Sequence, residues 1–192
     1  MAKFKSIAIG TLLVCGLWQF SSAGYIYAKA LLAQHLIADA WAETLKGYPD
    51  GENEVKPWQW ADTWPIARLS STRHDIDLFV LQGSSGRTLA FGPGHMSNTP
   101  LPGSDGNSVI GGHRDTHFSF LEHVQIGDTF TIQTADNRIV KYRVFEQAIV
   151  DKNDVEPVLR QDQNLLTLVT CFPFDDYVAG GPLRFVIKAA RV

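Results

Sequence analysis

Cys171, His113 and Arg184 are the side chains of this 192-residue sequence whose types and positions fit nucleophilic chemistry at a carbonyl. Cys171 closes the run Leu165 to Thr170, which is aliphatic or β-branched and reads as a buried strand, and Pro173 cannot continue its ladder. The thiol therefore falls at a strand end. His113 sits in Gly-Gly-His-Arg-Asp-Thr-His-Phe, residues 111 to 118, just past the strand-like Asn107 to Ile110. Arg184 lies just inside a strand that follows Cys171 by about a dozen residues, so the two strands are expected to be neighbours. A thiolate is the attacking form of cysteine, an imidazole moves the proton, and a guanidinium favours the thiolate and an oxyanion. Each residue also has an ordinary reading: a small buried hydrophobe for the cysteine, a loop histidine bonded to backbone, and a surface arginine on an edge strand. His113 and His117, with Asp115 between them, would suit a metal on a helix. Gly111-Gly112 argues against a helix there, and no metal or cofactor is expected.

The elements that must hold these residues read as short strands. Ile66 to Ser70, Ile76 to Leu81, Thr88 to Phe91, Val109 to Gly111, Asp128 to Gln133, Arg138 to Val150, Leu165 to Thr170 and Leu183 to Ala189 alternate or run apolar between turn signals such as Gly83-Ser84-Ser85-Gly86. Helical candidates are confined to Ser97 to Leu101, Ser119 to Val124 and Val155 to Leu159. Without repeated strand and helix alternation, the pattern points to an all-β barrel or sandwich.

The N-terminal region is different. From Ser6 to Ala28 there is no charged residue, while Lys3 and Lys5 precede the stretch and Lys29 follows it. That length suffices to cross ~30 Å of hydrocarbon, and the leading lysines favour a cytoplasmic N-terminus. Residues 1–28 are thus expected to be a signal anchor and transmembrane helix. Ser21-Ser22-Ala23 before Gly24 also resembles a signal-peptidase site, but apolar character continues through Tyr27, which favours the uncleaved anchor. Either way the remainder is exported, to a compartment that tends to oxidise thiols. With Cys15 held in the apolar stretch, Cys171 has no partner in the chain, and a leftover thiol there is marked as reactive. Residues 29–65 then comprise an amphipathic helix, with Leu32, Leu36 and Ala40 at helical spacing, and a Pro/Trp-rich linker whose tryptophans are expected to pin it to the domain. Residues 66–192 form the remaining domain, large enough for one core. A formal charge of −3 shows no basic excess and excludes a nucleic-acid partner as the working expectation.

Thr167-Leu168-Val169-Thr170-Cys171 resembles the Thr-Leu-x-Thr-Cys signature of sortases, and Gly112-His113-Arg114 their Gly-His motif. Gln125-Ile126-Gly127-Asp128 fits the turn that commonly follows, and His, Cys, Arg occur in the family's order. The loop from Gly92 to Gly106 and Gly-His-Arg-Asp-Thr are most similar to the single-pass, class D-like sortases of Gram-negative bacteria, whereas Phe172-Pro173-Phe174 departs from many relatives. The resemblance implies a sortase-like eight-stranded β-barrel with short helices. It also implies a cysteine transpeptidase: Cys171 cleaves a C-terminal Leu-Pro-x-Thr-Gly-like sorting motif of a protein substrate through a thioacyl-enzyme, and an amine resolves it. His113 would be the general acid and base and Arg184 the oxyanion and substrate ligand, with Leu78, Leu89, Val169, Thr170 and Phe172 as candidate groove residues. The resemblance further implies a bacterial inner-membrane protein whose domain lies outside the cytoplasm. A cysteine peptidase that releases its substrate to water, and a catalytically silent anchored binding barrel, remain open alternatives. The sequence leaves the amine acceptor, the sorting motif and the oligomeric state unassigned.

Overall fold

The computed structural model describes residues 2–47, 54–154, 164–176 and 180–192. The chain divides into two compact units, Met1–Leu36 and Ile37–Val192. The first lies within a long helix, α1 (Ala2–Thr44), and exposes Leu12, Leu13, Val14, Leu17, Trp18 and Phe20. Among the described residues no helix is long and apolar enough to cross a membrane. The span expected at 6–28 is therefore not confirmed by the described part of α1.

The second unit holds the last turns of α1 and a closed barrel in the strand order β1-β2-β3-β4-β7-β8-β6-β5. The strands are β1 (Pro65–Ser71), β2 (Ile76–Gln82), β3 (Gly94–His95), β4 (Asn107–Gly111), β5 (Thr129–Thr134), β6 (Ile139–Asp151), β7 (Leu165–Phe172) and β8 (Leu183–Arg191). Closure removes every sheet edge. Alternation is clean where one barrel face meets solvent, as in β1, whose odd-numbered residues are all buried. Ala67, Leu69, Ile110, Phe130, Ile132, Tyr142, Leu166, Leu168 and Ile187 fill the interior. β4 from Asn107 to Ile110 and β7 from Leu165 to Leu168 are buried on both faces, so burial does not alternate there.

Two expectations about elements change. Thr88 to Phe91 is not a strand: a short helix, α2 (Gly86–Leu89), forms because the Ser85 hydroxyl accepts from the Thr88 backbone N–H at 3.2 Å. Ser97 to Leu101 forms a turn, and a two-residue strand, β3, precedes it. Ser119 to Val124 contains the expected helical turn, a 3-10 helix at Ser119–His123. Val155 to Leu159 falls outside the described residues. In α1 the buried stripe of the second unit is Ile37, Ala40, Trp41 and Thr44 rather than the Leu32-Leu36-Ala40 row, and Trp41 packs on Phe79. Of the linker tryptophans, Trp58 packs edge-on against Phe91 at 5.0 Å, whereas Trp60 is exposed.

A bulge in β6 decides which faces its residues occupy. Val144 pairs with Ala189, but Glu146 pairs with Lys188, so the even-numbered residues of β6 pass from the interior to the outer face at Phe145. Val150 thereby joins Val109, Val169, Val186 and Met96 in a small apolar cluster outside the barrel.

Asp128 fastens the β1–β2 turn to the start of β5. Its carboxylate accepts from the Gln125 backbone N–H at 2.9 Å, meets the His74 ring at 2.8 Å and pairs with Arg73 at 2.8 Å. Burial opposes ionisation, but the Gln125 bond, His74 and Arg73 outweigh it and hold the carboxyl below its ordinary value. A depressed carboxyl pKa stabilises the fold above the unfolded-state value and stops doing so as pH falls through the folded one. Asp128→Asn is expected to cost about 2 kcal/mol at pH 7. In denaturant titrations the wild type should lose more stability than this variant between pH 5 and the acid limit.

Candidate active site

The site is built by two strand pairings. β4 and β7 run parallel, with Ile110 opposite Leu168 and Gly111 opposite Val169, and the Gly112 N–H donates to the Val169 carbonyl at 3.1 Å. Continuing that register brings His113 level with Cys171 on the outer face, because in-register neighbours share a face. On the other side β7 and β8 are antiparallel, and Cys171 lies directly opposite Arg184. Histidine, cysteine and arginine thus arrive at one end of the barrel from three consecutive strands.

Two contacts hold the His113 loop. The Thr170 hydroxyl, buried, donates to the Gly112 carbonyl at 2.8 Å, and the Phe118 N–H donates to the His113 carbonyl at 2.9 Å. Gly112 has no freedom to be anything larger: a Cβ there would lie 2.6 Å from the Phe118 ring, and Phe118 is fully buried. The glycine before His113 is therefore a packing requirement as well as part of a motif.

Cys171 and His113 line one cleft of about 510 Å³, together with Arg114, Asp115, Phe174, Asp175 and Asp176. Cys171 is half-buried and His113 exposed. Arg184 extends along its own loop, where Nη1 donates to the Gly181 and Leu183 carbonyls at 2.8 Å each. Sequence reasoning passed over Arg114, which is buried in the cleft wall and whose guanidinium donates to the Asp176 carbonyl, tying the His113 loop to the β7–β8 connection. Its signal was its place beside His113 in the motif. His117 faces away, into a second cavity, and burial first, then the charge of His113, pushes its pKa down.

The expected groove residues separate. Val169 shares the outer face with Cys171 and sits in the apolar cluster. Leu78 lies opposite the core residue Leu69, packs against the barrel interior and borders the second cavity. Leu89 is half-buried on α2. Phe172 packs with Phe174 and Phe185 at the barrel end. Thr170 is buried and positions the loop, so it offers no surface to a substrate.

A family model described as a sortase domain matches residues 69–192, well over half of the chain. The chain belongs to the sortase family. This sortase is 32% identical over 125 residues to sortase D of Bacillus subtilis, a match spanning 65% of this chain and 62% of that relative, less than two thirds of its length. Among solved structures, a Clostridium perfringens sortase D5 transpeptidase is 27% identical with a TM-score of 0.60, covering 67% of this chain and 79% of that one. Sortase A of Corynebacterium diphtheriae is 26% identical with a TM-score of 0.63, covering 83% and 84%. The class D-like expectation accords with the first two relatives, and the eight-stranded barrel is the fold of the solved sortases.

Replacing Gly112 by alanine should cost about 1–3 kcal/mol through the clash with Phe118 and slow alkylation of Cys171 as the loop shifts. Gly112→Ala combined with Phe118→Leu should recover part of both, read by thermal melts and by iodoacetamide labelling.

Proposed function

We propose that this sortase is a cysteine transpeptidase that cuts a Leu-Pro-x-Thr-Gly-like motif near the C-terminus of a protein substrate and passes the acyl group to an amine. The Cys171 thiolate attacks the threonine carbonyl, and His113 protonates the departing glycine amine. An incoming amine then gives a proton to His113 as it attacks the thioester, and the C–S bond breaks to return the Cys171 thiolate. Arg184 supports the oxyanion of both tetrahedral intermediates. Its strand position opposite Cys171 supports this role, and among the described residues the loop carbonyls of Gly181 and Leu183 engage its Nη1. The observation that carries the reading is the shared cleft of Cys171 and His113 at the open end of two paired strands.

The exposure of His113 leaves the thioester open to water, which favours hydrolysis as a competing outcome when no amine is supplied. We also place the enzyme at the extracytoplasmic face of a bacterial cell membrane, on the support of Lys3, Lys5 and the exposed apolar residues of α1. Carbonate-resistant pelleting of the full chain with membranes is the corresponding check.

Incubating the protein with a Leu-Pro-x-Thr-Gly peptide should give a thioacyl adduct on Cys171 by mass spectrometry, and added amine should convert hydrolysed product to amide. His113→Ala should reduce turnover by at least about 10²-fold with the melting temperature kept. Arg184→Ala should lower kcat with the Cys171 adduct still detectable. Unmodified Cys171 with every peptide tried, or full turnover in His113→Ala, would overturn the mechanism.

A further inference from the structure

His113 is exposed, so packing around its ring does not fix where it stands. Its backbone has to do so. Before it, Gly112 is held to β7 twice: its N–H donates to the Val169 carbonyl, and its carbonyl accepts from the Thr170 hydroxyl. After it, the loop leaves Asp115 and Thr116 exposed but buries Arg114, whose relative exposure is 8%.

Arg114 reaches across the cleft. Its guanidinium donates to the main-chain carbonyl of Asp176, in the connection that follows Cys171, and both residues line the cleft. Because β4 and β7 run parallel, two cross-links bracket the reacting pair: Gly112 to β7 precedes His113 and Cys171, and Arg114 to Asp176 follows them. The connection is also held near β8, where the Gly181 and Leu183 carbonyls accept from Arg184. Burying a guanidinium is costly, and an apolar side chain would fill the same wall for less. An apolar chain would not hold a carbonyl of the facing segment. The rigid fork of donors on arginine fixes the direction of that bond as well as its length.

We propose that Arg114 is a positioning residue for the general acid and base. By gripping the Asp176 carbonyl it fixes the backbone just after residue 113, and so keeps the imidazole within proton-transfer reach of the Cys171 sulfur. Arg114 acts through His113 and does not itself stabilise the thiolate or the oxyanion. The inference rests on the roles of Cys171 and His113 proposed above.

The test uses the full chain in a Cys15→Ser background, with a Leu-Pro-x-Thr-Gly peptide and an amine acceptor. Arg114→Met keeps the side-chain stem and removes the donors, whereas Arg114→Lys keeps a donor and the charge without the fork. A misplacement of about 1 Å costs on the order of 10²-fold in rate, so Arg114→Met should lower kcat about 10- to 100-fold with the peptide KM within about twofold. Arg114→Lys should recover part of that loss. Thermal melts give the folded fraction to which every rate is referred. Alkylation of Cys171 by iodoacetamide separates action through His113 from direct action on the thiol. Arg114→Met should slow it at least about threefold when His113 is present, and change it by less than about twofold in His113→Ala, where the group that Arg114 positions is already gone. If Arg114→Met does not melt cooperatively, Arg114→Lys carries the same comparison. Equal slowing in both backgrounds, unchanged kcat, or a loss carried wholly by KM would overturn the assignment. Wild-type turnover and alkylation in His113→Ala alone would instead overturn the reading of the Cys171 site on which the assignment depends.

Discussion

The parallel pairing of β4 with β7 is the constraint on which the rest of the structure depends. The strands are separated in sequence by β5 and β6, so nothing local brings them together. Once paired they fix the relation between His113 and Cys171 through backbone hydrogen bonds rather than through flexible side chains. Parallel strands need cover on both faces. Here the interior supplies one face, and the turn after β3 supplies part of the other: the Met96 N–H donates to the Val109 carbonyl at 2.9 Å, and the Thr99 hydroxyl accepts from the Val109 N–H at 3.2 Å. The same loop holds His95, whose buried ring meets the Pro100 carbonyl at 3.0 Å and whose pKa burial pushes down. The proposed pairing of Cys171 with His113 is thereby supported by a shell of backbone and buried polar contacts.

Two departures from regularity shape the surroundings of the thiol. The bulge at Phe145 turns the outer half of β6 inside out, which carries Val150 onto the face where Cys171, Val169 and Val186 lie. The second is the aromatic cluster Phe172, Phe174 and Phe185, with ring centroids 5.4 to 6.3 Å apart, which closes the barrel end immediately after the cysteine. Because the chain must turn at Pro173, that cluster caps the interior while Cys171, one residue earlier and opposite in pleat, stays on the outer face. Thiol exposure and core closure are separated by a single residue.

Much of this was legible in the sequence. Strands of alternating pattern such as β1 and β5 were readable because one face of each meets solvent, and the placement of Cys171, His113 and Arg184 at strand ends was readable from the turn signals beside them. The β strand expected at Thr88 to Phe91 failed because a single serine cap outweighs β propensity in so short a segment. The groove residues were the least legible. Leu78 and Val169 look alike as strand positions, yet strand order and register send one to the interior and the other to the outer face, and the β6 bulge has no local signature. Arg114 was visible in the motif, but its burial against the Asp176 carbonyl depends on two loops meeting across the barrel end.

The central claim is that β4 and β7 bring residues 113 and 171 side by side, and a cross-link reports it most directly. Neighbouring strands lie about 4.8 Å apart, within the Cα separation that a disulfide spans. In a Cys15→Ser background, His113→Cys should oxidise with Cys171 to an intramolecular disulfide in the folded protein, seen as the loss of two hydrogens and of both alkylatable thiols. Two thiols that remain free and reactive in the folded protein after mild oxidation would contradict the pairing and the active site built upon it.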